Sequence, residues 1–275
     1  MAAIYALISS LIWGSADYLG GRLSRRRSSL AVTGGSQPFG LLATLISVAL
    51  FGTWQLDRTI AFNGAMAGAL GLSGLIAFYT ALATGRMGIV SPISSTGVII
   101  PFAIGMLTGD QPTAIQIVGV VVAISGVILA SGPELSGGAP LRPVALAAYS
   151  AFAFGSCVYF MSKGGQINPG MTVVTMRFTQ VTIMMTVAVI ARSRGGLTKN
   201  DVPMLVIIGA TDAIANVFYT MAAGTGMLSI VSVLGSLFPV VTVVLAWVFD
   251  KERLMPIQYV GICIALAGVA AITAG

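Results

Sequence analysis

Apolar residues along this chain fall into long runs, and the polar stretches between them are short and regularly placed. A helix needs about 20 mainly apolar residues to cross a bilayer. Runs of roughly that length cover residues 2–21, 29–54, 60–83, 88–108, 114–131, 143–162, 169–191, 202–223, 226–249 and 256–274. The pattern predicts an all-α integral membrane protein of ten transmembrane helices, segments 1 to 10. The weakest separations are Thr84-Gly85-Arg86 and Gly224-Thr225-Gly226. The longest, Ser131 to Pro143, is rich in glycine and proline and lies near the midpoint, so it separates a first unit (1–131) from a second (143–275) through a connecting loop (132–142).

The two units repeat each other. Residues 109–127, GDQPTAIQIVGVVVAISGV, match residues 251–269, KERLMPIQYVGICIALAGV, at seven of nineteen positions with an offset of 142. Hydropathy alone does not account for the paired Gln116/Gln258, Gly119/Gly261 and Gly126/Gly268. Phe78-Tyr79-Thr80 also matches Phe218-Tyr219-Thr220, and Gly14-Ser15 matches Gly155-Ser156, in the same order and at nearly the same offset. Five helices per unit is an odd number, so two units of like fold must lie upside down relative to each other.

Charge tests that inference independently. Loops 1–2 and 3–4 carry Arg22, Arg25, Arg26, Arg27 and Arg86, whereas loops 2–3 and 4–5 carry only Arg58. In the second unit the bias changes sides: loops 7–8 and 9–10 carry Arg192, Arg194, Lys199, Lys251 and Arg253, and loops 6–7 and 8–9 carry only Lys163. Every strongly basic loop thus falls on one face, which the positive-inside rule makes cytoplasmic. Both termini are then expected outside.

Composition narrows the function. Hydrophobic residues make up 56% of the 275 and charged residues 8%, against roughly 25% charged in an ordinary soluble chain. The net charge of +6 does not indicate nucleic-acid binding, because the basic residues sit in short loops between apolar runs. Histidine is absent, and Cys157 and Cys263 both lie inside apolar runs, which argues against a zinc site or a disulfide framework. The glycines of segment 3 lack the preceding strand that a dinucleotide fingerprint requires, so no cofactor is expected. A basic cluster follows segment 1 rather than preceding it, so that segment reads as a membrane helix and not as a signal peptide. The expected location is a cell membrane of bacterial inner or plasma type.

Only Asp17, Arg177 and Asp212 place a charge well inside a predicted span. Such a charge costs about 2.5–3.5 kcal/mol on insertion scales and normally faces a cavity or a partner. Asp212, Asn216 and Tyr219 share one face of segment 8, and Arg177 is followed at i+3 by Gln180 on segment 7. Ser10, Trp13 and Asp17 share a face of segment 1, where an indole beside a carboxylate suits a cationic or amphipathic ligand. Tyr79, the repeat counterpart of Tyr219, joins the candidate set. So do Ser91 and Ser232, from the serines of segments 4 and 9 that could line a pore; the others are Ser95, Ser229 and Ser236. The stripes Gly119/Ala123/Gly126 and Gly261/Ala265/Gly268 read as packing surfaces. Asp110 and Glu252 are expected to complement the dipoles of segments 5 and 10.

Several of these features resemble the EamA-type members of the drug/metabolite transporter superfamily. They are Trp13-Gly14-Ser15 in segment 1, Pro101 and Pro239 in segments 4 and 9, and the pattern acid-x5-Gln-x2-Gly-x6-Gly-Val. That pattern occurs twice, from Asp110 to Val127 and from Glu252 to Val269. The resemblance implies a secondary transporter, often an exporter of amino acids or related metabolites, with a cavity between the halves. Arg177 matches an arginine common in that family, and its counterpart in segment 2 is Gln37, a departure that would leave the cavity asymmetric. The expected function is therefore metabolite transport by alternating access, with an amino-acid-like substrate, a coupling proton and a monomeric or weakly dimeric protein. A channel or passive facilitator is the alternative. An intramembrane enzyme is disfavoured, since there is no histidine, no clustered cysteine and no carboxylate pair at helical spacing.

Overall fold

The computed structural model describes residues 1–275 apart from 85–89, 91–92, 131–140, 192–195 and 251–254. The described residues form helices joined by short connections. They are α1 (Ala2–Ser24), α2 (Ser29–Phe51), α3 (Arg58–Thr84), α4 (Ile93–Leu107), α5 (Ala114–Ala130), α6 (Leu141–Gly165), α7 (Pro169–Ala191), α8 (Val202–Thr225), α9 (Leu228–Phe249) and α10 (Pro256–Ala274). Eight are long and apolar enough to cross a membrane, whereas α4 and α5 are shorter apolar helices. Phe51, Leu107, Phe178, Val189, Ile190 and Leu266 are exposed, as lipid-facing side chains must be in a chain with this composition.

Helix α9 is discontinuous. It runs as Leu228–Gly235, turns at Ser236-Leu237 and resumes as Phe238–Phe249. Pro239 accounts for the break, because it has no N–H to donate and its ring would clash with the carbonyl of Gly235 four residues earlier. Helix α4 is irregular at the corresponding place, with the 3-10 turn Thr96–Val98 ahead of Pro101. These irregularities explain the repeated Gly-Ser pair. A Cβ at Gly14 on α1 would lie 2.5 Å from the Phe238 carbonyl oxygen of α9, and one at Gly155 on α6 would collide with the Gly97 carbonyl oxygen of α4. In each half a glycine lets a loosened helix approach its neighbour.

Packing between helices follows a two-fold pattern. Helix α3 lies along α6 as α1 lies along α8, and α3 meets α7 as α2 meets α8. Helices α5 and α10 pair with each other, as do α2 and α7, and α4 and α9. On α5 and α10 the close approaches run Gly119 to Ile272, Ala123 to Gly268, Gly126 to Ala265 and Ala130 to Gly261. As the number rises on one helix it falls on the other, so α5 and α10 are antiparallel. An axis perpendicular to the helices relates such a pair, and an axis along them does not. The small-residue stripes are packing surfaces, as expected: Gly126 and Gly261 sit against the backbones of Ala265 and Ala130.

Loop contacts separate the two faces as the charges predict. On the basic face Arg27 pairs with Asp201 at 3.0 Å, and Arg22 lies 3.6 Å from Asp250. On the other face Asn168 donates to the Thr53 carbonyl at 3.0 Å. There, too, the Asp110 carboxylate accepts from the Ser229 amide at 2.8 Å. This last contact corrects the sequence reading of Asp110, which caps the start of α9 in the other half and not its own helix. The start of α5 is held instead by Thr113 and Gln116, whose amides and side chains bond reciprocally. Gln258 does the same for α10 by accepting from the Met255 amide, and its own amide reaches the Ala130 carbonyl at 3.2 Å. The repeated glutamine is a helix cap.

A central cavity between the halves

Arg177 on α7 is fully buried, at 0% exposure. Its guanidinium donates to Asp212 Oδ2 of α8 at 2.7 Å, to Gln37 Oε1 of α2 at 2.7 Å and to Gln180 Oε1 at 3.1 Å. Its Nε lies under Gly40, where a Cβ would come within 3.5 Å, and has no protein acceptor. An isolated charge in this setting would be strongly unfavourable, and the carboxylate with two amide oxygens is what makes it tolerable. Asp212 is held in turn by Asn216, whose side-chain amide donates to Asp212 O at 2.6 Å and to Oδ1 at 3.2 Å. The i, i+4 spacing read on segment 8 thus becomes a bonded pair.

Gln37 and Arg177 lie 140 residues apart, one in each half, and they bond to each other. The polar cluster thus ties the two halves together. Beside it is a cavity of about 100 Å³ lined by Trp13, Asp17, Asp212 and Asn216, with Gln180 of α7. Gly71 and Leu75 of α3, Phe154, Cys157, Val158 and Met161 of α6, Met176 of α7 and Phe238 of α9 complete it. Pockets for drug-sized ligands are typically about 300–1,000 Å³, so this one, as it stands, suits only a small molecule.

The expected site residues divide among three places. Trp13, Asp17, Asp212 and Asn216 line the cavity together, while Arg177 and Gln37 form the buried layer behind it. Tyr79 is buried rather than cavity-lining, and its hydroxyl points to Asp17 Oδ1 at 3.4 Å. Tyr219 and Ser232 line a smaller neighbouring cavity of about 50 Å³, together with Ser94, Ser95 and Ser236. Trp13 joins the two spaces, since its ring packs on Tyr219 at 5.3 Å between centroids and it lines both. Ser229 is buried and lines neither. Ser91 lies outside the described residues. A third cavity, of about 30 Å³, opens toward the basic face between Arg22, Arg25 and Asp250, and Asp17 and Phe238 separate it from the centre by lining both. The residues that sequence reasoning missed are the apolar ones, Phe154, Phe238 and Met176 above all. In the sequence they are indistinguishable from side chains that face lipid.

A family model for the EamA-like transporter family matches residues 1–132 and again 141–274. The chain belongs to the EamA-like transporter family. It is therefore a multi-pass membrane protein of transporter type, built from two copies of the family unit. A solved crystal structure matches with a TM-score of 0.82 over 99% of this chain and 96% of its own, at 13% identity, which speaks to the fold alone. No curated protein matches the chain in sequence.

Proposed function

We propose that this EamA-like protein is a secondary transporter that crosses the cell membrane ten times. In this reading residues 1–131 and 143–275 are inverted five-helix repeats joined by 132–142, and they exchange access to the central cavity between the two faces. The substrate is a small amphipathic metabolite, amino-acid-like in size, carried by a monomer, with a proton as the coupling species and export as the physiological direction. The observation that carries the proposal is the position of the cavity. Both halves supply its walls, and the Arg177–Asp212–Gln37 cluster that joins them adjoins it through Asp212. A site at a repeat interface in the midplane can be opened to either side by rocking one half against the other. The irregular α4 and the broken α9, paired with each other, suit such a movement, since discontinuous helices flank the sites of many inverted-repeat carriers.

The experiment is counterflow. Purified protein is screened by thermal shift against small metabolites, since a ligand at 100 times its dissociation constant adds about 2.7 kcal/mol of stability. Proteoliposomes loaded with the best stabiliser should then take up labelled ligand faster than empty ones, with saturation. Unsaturable flux accompanied by measurable single-channel conductance would make the protein a channel and overturn alternating access.

A further inference from the structure

The cavity has one polar wall and one apolar wall, and the repeat shows why. Aligned on the Gly14/Gly155 match, Trp13 and Asp17 of α1 correspond to Phe154 and Val158 of α6. Asp212 and Asn216 of α8 extend the polar wall, whereas α3 supplies only Gly71 and Leu75 to the space. Helices α1 and α8 pack together, and so do α3 and α6. Two halves of one fold thus present a carboxylate-bearing wall on one side of the space and an aromatic and aliphatic wall on the other.

The charges on the polar wall are not equivalent. Asp212 is neutralised by Arg177, whose guanidinium also donates to Gln37 and Gln180 and, fully buried, does not line the cavity. A ligand carboxylate in the cavity as it stands therefore does not meet the guanidinium. No lysine or arginine lines the cavity. Asp17 is different: it lines the cavity, its hydrogen-bond partner is the neutral hydroxyl of Tyr79, and among the described residues no cation lies within ion-pair distance. Trp13, one helical turn away on the same face, is steadied by its contact with Tyr219. A carboxylate beside an indole recognises an ammonium group, by charge and by the quadrupole of the ring.

We propose that the cavity binds a compact amphipathic amine, its ammonium group on Asp17 and Trp13 and its apolar body against Phe154 and Val158. Arg177 acts as a positioning residue that holds Asp212 and does not bind a substrate carboxylate. The proposal rests on the central cavity being the transport site and specifies which end of the substrate that site holds.

Three probes with one branched apolar body separate the poles: isoamylamine carries only the ammonium, 4-methylpentanoate only the carboxylate, and leucine both. Trp54→Phe with Trp247→Phe removes two exposed indoles and leaves Trp13 as the sole tryptophan reporter. Binding is read from its fluorescence in purified protein without any gradient. Isoamylamine should shift the Trp13 signal with an affinity at least about tenfold above leucine, and 4-methylpentanoate should not compete. Asp17→Asn should abolish the amine response while Asp17→Glu retains it, with thermal unfolding reporting that both variants are folded. No response to isoamylamine, or leucine or 4-methylpentanoate binding as tightly as the amine, would overturn the ammonium pole even if counterflow of another solute succeeded. Tight amine binding without counterflow would instead overturn the transporter reading and leave the recognition intact.

Discussion

At the residue scale the molecule turns on a guanidinium with no access to water. Arg177 is 0% exposed, whereas the Asp212 side chain retains 23%, so the two partners do not depend on each other equally. Removing one member of a buried pair costs about 3–5 kcal/mol, because the other charge is stranded. Asp212→Leu strands the fully buried arginine, whereas Arg177→Met leaves a carboxylate that can hydrate through the cavity. Thermal unfolding in detergent should therefore rank Asp212→Leu as the more damaging single change, with the double variant nearer the wild type than either single one. Equal losses in the two single variants would mean that the cavity does not hydrate Asp212. The double variant should fold yet lose transport, since the polar wall loses the carboxylate that orders Asn216. Normal transport by it would make the pair purely structural. Arg177→Lys keeps the charge but not the fork that reaches three acceptors at once, so it should fall between the wild type and Asp212→Leu in stability.

At the scale of elements, the sequence showed what is repeated and concealed what is irregular. The stripes of small residues on α5 and α10 were readable because glycine at fixed spacing in both units has no hydropathic cause, and the close packing explains them. Gly126→Ala should destabilise the protein, since the new methyl would meet the Ala265 backbone, which cannot move aside as a flexible side chain can. Gly21→Ala is the control: nothing lies within 4 Å of its Cβ, and in a helix the change is favourable by about 1 kcal/mol. A matched loss in both variants would mean that glycine acts here through backbone freedom and not through close approach. Asp110 was misread because a carboxylate just ahead of a helix ordinarily serves that helix, and no local signal announces a partner 119 residues away. Asp110→Ala should cost about 0.5–2 kcal/mol, the usual value of a lost N-cap. The break in α9 was marked only by Pro239, and the apolar half of the cavity carried no mark at all. Phe154 and Phe238 differ from lipid-facing phenylalanines in position alone.

At the scale of the whole molecule, charge decides how the protein sits in its membrane. The sequence pattern assigns eleven Lys/Arg to the segment ends and connections of one face when Arg142 is counted, and two, Arg58 and Lys163, to the other. The contacts of Arg22 and Arg27 with Asp250 and Asp201, and of Asp110 and Asn168 with Ser229 and Thr53, agree with that division. The grouping of loops thus rests on both charge and contact, whereas the choice of cytoplasmic face rests on charge alone. Single cysteines in a Cys157→Ala, Cys263→Ala background test that choice, using the exposed positions Ser28 on the basic face and Gln55 on the other. In intact cells a membrane-impermeant maleimide should label Gln55→Cys at once and Ser28→Cys only after permeabilisation. The reverse pattern would turn the molecule over while leaving its repeat, its cavity and its ion pair unchanged. Labelling of both positions in intact cells would mean that the chain inserts in two orientations, an outcome that an eleven-to-two bias should forbid.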